Sequence, residues 1–91
     1  MEYERGLTYV YLIESAPFPG QRYIGRTSDL KGRLEAHNEG RSKHTAKFKP
    51  WKLIAYIAFS NHDKGLEFER YLKSGSGRAF ANKRFWESAS V

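Results

Sequence analysis

The sequence predicts a small α+β domain, in which a three-stranded antiparallel sheet is flanked by about three helices in the order ββαβαα. Three observations predict this fold. Two segments rich in β-branched and aromatic residues lie close together near the N-terminus, separated by a turn with two prolines and a glycine. Two later segments carry apolar residues at helical spacing. A third strand-like segment lies between those two.

The three strands are predicted over residues 7–14, 21–27 and 52–59. The first reads LTYVYLIE, and its β-branched and aromatic residues favour an extended conformation. Segment 15–20 breaks any regular element, because it contains two prolines and a glycine. The first two strands should therefore form an antiparallel hairpin.

The helices are predicted from capping residues and apolar spacing. Ser28 is predicted as the N-cap of the first helix, with Asp29 in its first turn. That helix should run to about Asn38, since Gly40 just beyond it is a typical stop. The remaining elements are a basic loop and two further helices, predicted over 40–50, about 62–73 and about 78–86.

Length and composition restrict the class of protein. The chain has 91 residues, so we expect a single domain over residues 1–91 with its core at about 7–86. Hydrophobic residues make up 40 % and aromatic residues 15 %, which is enough for a thin core. The lack of cysteine excludes disulfides and thiolate metal sites. No segment resembles a signal peptide or membrane span, so we expect a cytoplasmic protein without a membrane partner.

The net charge is +6, and no acidic residue lies between Glu39 and Asp63. The loop in that interval supplies candidate contacts to nucleic-acid phosphates, namely Arg41, Lys43, His44, Lys47, Lys49 and Lys52. A second basic stretch carries Lys73, Arg78, Lys83 and Arg84. Clustered cations release counterions from nucleic acid and give salt-sensitive binding. Charge alone fits a solvated surface equally well, and an acidic protein partner is a further alternative.

Polar side chains also fall on faces that should pack. A hairpin centred near Pro17 could set Tyr11 opposite Tyr23, with both phenols on one side of the sheet. Arg33 and His37 share the apolar stripe of the first helix, where an unpaired charge is costly. The alternatives are two packed tyrosines, an arginine with its head in water, and a satisfied histidine in the core.

The second helix presents two carboxylates beside its apolar stripe. Glu67 and Glu69 lie about 100° to either side of that stripe, by the rotation per residue of a helix. Periodicity alone does not decide which of them points into a site. Both could equally be solvated carboxylates that flank a packed face.

These residues together resemble the GIY-YIG nuclease pattern, and the resemblance is closest to small stand-alone members. Two short strand motifs, Tyr9-Val10-Tyr11 and Tyr23-Ile24-Gly25, are followed by Arg33 ten residues after Tyr23. The segment beginning at Glu69 is similar to the helix that supplies the family's metal-binding glutamate. The resemblance spans residues 8–85, and its one departure is Tyr9, where the name-giving glycine would lie.

The resemblance implies a set of catalytic residues: Tyr11, Tyr23, Arg33, His37 and Glu69. It makes Glu69 the metal ligand, and one carboxylate with waters and phosphate oxygens suits Mg²⁺, with Mn²⁺ as the alternative. Arg33 would hold the scissile phosphate. Tyr11 would act as general base or proton relay, which requires Arg33 or the metal to lower its pKa. Asn82 could match a late asparagine of some members.

The sequence thus predicts a divalent-metal-dependent endonuclease that hydrolyses phosphodiester bonds in nucleic acid, with DNA as the expected substrate. We expect low intrinsic sequence specificity, because the chain has no room for a separate recognition domain. A role in DNA repair or recombination is expected, and a protein partner is left open. The alternative is a nucleic-acid-binding module without catalysis that uses the basic loop.

Overall fold

The computed structural model describes residues 6–86. The predicted ββαβαα order is confirmed. The elements are β1 (Thr8–Ser15), β2 (Arg22–Thr27), α1 (Leu30–Asn38), a short 3₁₀ turn (Ala46–Phe48), β3 (Trp51–Phe59), α2 (His62–Leu72) and α3 (Gly75–Arg84). None of the helices in this range is long and apolar enough to cross a bilayer.

The three strands form one antiparallel sheet in the order β2-β1-β3, as predicted. The central strand β1 is buried on both faces, because residues 10–13 are apolar or aromatic without interruption. The register between β1 and β3 shifts between Leu12 and Ile13. The strand β2 lies at an edge of the sheet, where one side of its backbone has no neighbouring strand within residues 6–86.

Alternation along β1 divides the core into two layers. Val10 and Leu12 pack with residues of α2 and α3, including Leu72 and Ala81. On the opposite face, Tyr11 and Ile13 pack with Trp51, and the partly buried residues against them are Tyr23, Leu30, Leu34 and Phe48. The helix α1 therefore covers one face of the sheet, and α2 with α3 covers the other.

The hairpin register differs from the prediction. Tyr11 pairs with Gly25, and Tyr23 pairs with Ile13. Tyr11 and Tyr23 are therefore diagonal neighbours rather than directly opposite, although both still lie on the α1 face. The turn fixes this register, since Ser15 donates its backbone N–H to the Gln21 carbonyl at 2.9 Å.

Two helix starts also differ from the prediction. The N-cap of α1 is Asp29 and not Ser28, because the Asp29 carboxylate accepts from the Gly32 backbone N–H at 3.1 Å. The third helix begins at Gly75, and its N-cap Ser74 accepts from the Gly77 backbone N–H at 3.2 Å. Capping thus outweighs the poor helix propensity of the glycines. Gly40 follows α1 with a φ of 79°, as expected for a helix stop.

Candidate active site at the free edge of β2

Gly25 makes room for the two tyrosines of the site. A Cβ placed on Gly25 would lie 2.6 Å from Tyr11 Cζ and 2.9 Å from Tyr23 Cε2. Such contacts are too short for any side chain, so the close approach requires glycine at this strand position. The Tyr11 and Tyr23 ring centroids are 6.3 Å apart. The Tyr11 phenol therefore lies over β2, the edge strand of the sheet.

The Tyr11 hydroxyl is hydrogen-bonded to a buried histidine. Tyr11 Oη lies 2.8 Å from His37 Nε2, and His37 Nδ1 lies 2.7 Å from Thr45 Oγ1. Thr45 Oγ1 also donates to the Ser42 carbonyl at 3.5 Å. This arrangement is satisfied when His37 Nδ1–H donates to Thr45 and Nε2 accepts from the Tyr11 hydroxyl. His37 is only 1 % exposed, so a substrate cannot reach its ring directly.

Burial sets the protonation states of this pair. Burial raises the pKa of Tyr11 well above its ordinary value, Tyr23 raises it further, Arg33 lowers it in part, and Glu69 raises it again. The expected lowering by Arg33 is therefore present but is outweighed. Burial lowers the pKa of His37, and the charge of Arg33 lowers it further. At neutral pH the pair is a hydroxyl donor and an uncharged acceptor.

Arg33 and Glu69 influence the same phenol from different helices. Arg33 lies on α1, one turn before His37, and its charge acts on both Tyr11 and His37. Glu69 lies on α2, and its charge also acts on Tyr11. Within residues 6–86 the exposed Arg33 guanidinium makes no hydrogen bond or ion pair, so its donors can meet an anion from solvent. The structure thus places Tyr23, Arg33, His37 and Glu69 around the phenol of Tyr11.

Two cations hold the Glu69 carboxylate. Arg26 Nε donates to Oε1 at 3.1 Å and Lys73 Nζ donates to Oε2 at 3.0 Å. Burial of the Glu69 carboxyl raises its pKa, but the hydrogen bonds and charges of Lys73 and Arg26 lower the pKa by more. The side chain is 15 % exposed and ionised at neutral pH. Sequence reasoning did not identify Arg26, although it directly follows the Tyr23-Ile24-Gly25 motif.

The structure separates the two candidate glutamates. Glu67 is 67 % exposed, and among the described residues its one ion pair is with Lys64 on its own helix, at 3.6 Å. Glu69 instead reaches across to Arg26 on β2. Of the two carboxylates, Glu69 is the one that lies at the edge of the sheet beside Tyr11.

A single carboxylate limits how a metal could be held. Within the described part of the chain, no group of three or more His, Asp or Glu side chains could coordinate an ion. Each Glu69 oxygen has a further lone pair beside its hydrogen bond, and an ionised carboxylate is the hard donor that Mg²⁺ prefers. The site therefore fits an ion that keeps most of its waters and takes its other ligands from a phosphate.

Hydrogen bonds attach the basic loop to the end of α1 and the start of β3, next to His37. Thr45 bonds His37, and the Thr45 carbonyl accepts from Trp51 Nε1 at 2.9 Å. Asn38 accepts from the Trp51 backbone N–H at 2.6 Å. The candidate phosphate contacts of this segment are exposed to solvent, namely Arg41, Lys43, His44, Lys47, Lys49 and Lys52. Among them, Arg41 pairs with Glu39 at 3.3 Å, and Lys47 Nζ lies 5.3 Å from the Phe48 ring centroid.

Comparison with known families agrees with this geometry. The model of the GIY-YIG catalytic domain matches residues 7–84. The chain belongs to the GIY-YIG family. The resemblance seen in the sequence is thereby confirmed, and GIY-YIG membership supports nuclease activity.

Individual GIY-YIG relatives include both large and small proteins. The structure-specific endonuclease subunit SLX1 of Meyerozyma guilliermondii is 34 % identical over 98 residues, covering 90 % of this chain and 33 % of that protein. A UPF0213 protein of Streptococcus pneumoniae is 36 % identical over 66 residues, covering 71 % of this chain and 65 % of that protein. The slx1 subunit of Talaromyces stipitatus is 38 % identical over 65 residues, and the match spans only 17 % of its length. The chain thus spans one third or less of these two SLX1 subunits.

A solved structure supports the GIY-YIG fold. The solution NMR structure of a UPF0213 protein from Bacillus halodurans matches with a TM-score of 0.52 and 28 % sequence identity. The match covers 85 % of this chain and 83 % of that chain. The arrangement of sheet and helices described above is therefore shared with a relative of similar extent.

Proposed function

We propose that this protein is a divalent-metal-dependent endonuclease that hydrolyses phosphodiester bonds in DNA with low intrinsic sequence specificity. The observation that carries the proposal is the hydrogen bond of 2.8 Å between the Tyr11 hydroxyl and the neutral His37, within the electrostatic reach of Arg33 and Glu69. A proton acceptor, a phosphate-binding cation and a metal-binding carboxylate are the three groups that phosphodiester hydrolysis needs.

The nucleophile is prepared by a proton relay. A water bound at Tyr11 Oη gives its proton to that oxygen, while the Tyr11 proton moves to His37 Nε2. The resulting hydroxide attacks phosphorus, and His37 carries the added proton. Because the pKa of Tyr11 is raised by burial, the phenol passes a proton on more readily than it holds a stable negative charge. His37 is a positioning and proton-accepting residue that acts through Tyr11.

Arg33 would stabilise the negative charge that develops on the phosphate directly, and Glu69 would do so through a bound metal ion. The Arg33 guanidinium offers a planar fork of donors to the nonbridging phosphate oxygens. Glu69 would hold Mg²⁺, which supplies charge stabilisation at the phosphate and at the departing 3′ oxygen. Arg26 and Lys73 keep Glu69 ionised and oriented, at 3.1 Å and 3.0 Å respectively. Tyr23 positions the water or the phosphate beside Tyr11.

The relatives support the proposal that this protein recognises the structure of its nucleic-acid substrate. Two of them are named structure-specific endonuclease subunit SLX1. We propose that this chain also selects its substrate by nucleic-acid structure rather than by nucleotide sequence. Because both relatives are named as subunits, we propose that this chain also works with a protein partner.

A plasmid nicking assay tests the proposal. Supercoiled plasmid and branched DNA are incubated with the protein and Mg²⁺ or Mn²⁺, with EDTA in a parallel reaction. We expect nicking that requires the metal and ceases with EDTA. Metal-independent binding of both DNAs without any cleavage would replace the proposal with a binding module that uses the basic loop.

A further inference from the structure

A cavity of about 460 Å³ lies beside the candidate active site, between β2, the end of α2, and α3. Its volume falls within the range of about 300–1,000 Å³ that is typical of small-molecule sites. Its apolar walls include Ile24, Leu72 and Ala81. The cavity is large enough to receive one unstacked nucleotide.

The charged side chains that line the cavity are cations. They are Arg22, Lys73 and Arg78, and no carboxylate lies among the described residues of its lining. Arg22 is held in place, because its Nε lies 3.3 Å from a Glu14 oxygen and its guanidinium lies 4.8 Å from the Trp86 ring centroid. Arg78 is exposed and lies on the first turn of α3. Cations beside an apolar wall match a ligand with a phosphate and a flat, weakly polar ring.

The cavity and the active site share two residues. Tyr23 lines the cavity, and its ring centroid is 6.3 Å from that of Tyr11. Lys73 also lines the cavity and donates to Glu69 at 3.0 Å. A ligand in the cavity therefore lies next to Lys73, which holds the Glu69 carboxylate, and next to Tyr23, which would position the scissile phosphate. In a continuous nucleic-acid strand, the group nearest to that phosphate is the adjoining nucleotide.

We propose that this cavity binds the unstacked nucleotide adjoining the scissile phosphate, with its own phosphate on Lys73 and Arg78 and its base against Ile24 and Ala81. The inference rests on the proposed function for the identity of the neighbouring site. Unstacking costs least for a base that is already unpaired. The cavity thus makes the enzyme favour strands with an unpaired nucleotide beside the cut, which selects structure rather than sequence.

A binding experiment tests the cavity without any need for cleavage. The protein is titrated with thymidine 5′-monophosphate, and separately with deoxyribose 5-phosphate and with inorganic phosphate, while backbone amide and indole NMR signals are recorded. We expect the nucleotide to shift the signals of Ile24, Ala81 and the Trp86 indole, and the two ligands without a base to shift them much less. Equal shifts from all three ligands, or shifts elsewhere only, would overturn the proposal.

A matched pair of variants links the cavity to substrate choice. Arg78→Ala removes a cation of the cavity, whereas Lys83→Ala removes an exposed cation of the same helix that does not line it. We expect Arg78→Ala to weaken thymidine monophosphate binding about tenfold or more, the usual effect of removing one charge-assisted hydrogen bond. It should slow cleavage beside an unpaired nucleotide more than cleavage of plain duplex. Lys83→Ala should leave thymidine monophosphate binding unchanged, and any loss of cleavage from a general phosphate contact should be equal on the two substrates.

The outcomes separate this inference from the proposed function. Nucleotide binding in the cavity without any DNA cleavage would support the cavity and overturn the endonuclease proposal. Metal-dependent cleavage by a protein whose cavity does not bind the nucleotide would overturn the cavity proposal but not the endonuclease proposal. An equal loss for Arg78→Ala on paired and unpaired substrates would also contradict the cavity, because a general phosphate contact has that effect.

Discussion

At the residue scale, the chemistry depends on two buried groups whose protonation is fixed by their surroundings. Tyr11 is 2 % exposed and His37 is 1 % exposed, and each satisfies the other with a hydrogen bond. Thr45 donates its hydroxyl proton to the Ser42 carbonyl and therefore favours the His37 tautomer that carries the proton on Nδ1. A buried polar group without such partners would destabilise the fold, so the same bonds serve stability and chemistry.

Removing either member of the Tyr11–His37 pair should slow cleavage without abolishing DNA binding. Tyr11→Phe removes the hydroxyl, and His37→Gln keeps an acceptor but removes the base. We expect each change to reduce the cleavage rate by about 10²-fold or more, a typical contribution of general base catalysis. The double variant should be no slower than the slower single variant, because the two groups form one relay. Losses that multiply would show that the residues act separately.

The same pair predicts how the protein responds to pH. Because the folded-state pKa of His37 lies below its ordinary value, the unfolded chain binds the proton more tightly. The contribution of neutral His37 to stability is complete above about pH 6.5, and is lost as the pH falls from there towards the folded pKa. Cleavage should fall at acid pH, when the pH drops through the folded pKa of His37 and the protonated ring can no longer accept a proton. Urea unfolding at a series of pH values should show a weaker decline in His37→Gln than in the wild type.

The two glutamates of α2 provide a test of the metal ligand. Glu69→Gln keeps the size of the side chain but removes the charge that would hold the cation, so we expect cleavage to fall by orders of magnitude, at about tenfold per 1.4 kcal/mol. Glu67→Gln is the control, since that side chain is 67 % exposed and pairs with Lys64 on its own helix. Plasmid nicking at several Mg²⁺ concentrations measures both. Loss of activity in the Glu67 variant alone would contradict the assignment of Glu69.

At the element scale, α1, α2 and the segment between α1 and β3 each contribute part of the site. The helix α1 carries Arg33 and His37 one turn apart, and α2 carries Glu69, which forms an ion pair with Arg26 of β2. The segment between α1 and β3 is held by Thr45 beneath His37. Its basic side chains point into solvent, where they can meet the phosphates that flank the cut.

The basic loop should account for part of the salt dependence of DNA binding. Changing Lys47 and Lys49 to Ala removes two exposed cations, and we expect weaker binding with a log–log salt slope that is flatter by up to about one unit for each phosphate that is no longer neutralised. Affinities measured from low to high salt give the slope. Lys64→Ala is the control, because Lys64 lies on α2 and pairs with Glu67. An unchanged slope would make the loop an ordinary solvated surface.

At the scale of the whole molecule, the sheet brings together residues that are far apart in the chain. The helices α1 and α2 pack on opposite faces, so their functional side chains can meet only at a free edge of the sheet. The strand β2 provides that edge. Because Gly25 has no side chain, the Tyr11 phenol can extend across β2 towards that edge. The geometry of the site therefore depends on the packing of the fold.

Gly25→Ala should test this coupling. The added Cβ would lie 2.6 Å from Tyr11 Cζ, so the ring must move away from its place over β2. We expect a loss of about 1–3 kcal/mol in the free energy of unfolding, as for other overpacked sites, together with a large loss of cleavage. Gly75→Ala is the control, because nothing lies within 4 Å of its added Cβ and alanine favours the helix. Full activity in Gly25→Ala would contradict the placement of Tyr11.

The sequence by itself determined the element order and most element boundaries, because strand propensity, turn residues and helical spacing are local properties. It also determined the family, since the two tyrosine motifs, Arg33 and Glu69 occur at diagnostic spacing. Only the tertiary structure decided that Tyr11 pairs with Gly25, that Asp29 and Ser74 cap their helices, and that Arg26 and Lys73 hold Glu69. Register, caps and ion pairs depend on which surfaces pack together, and no local pattern specifies that choice.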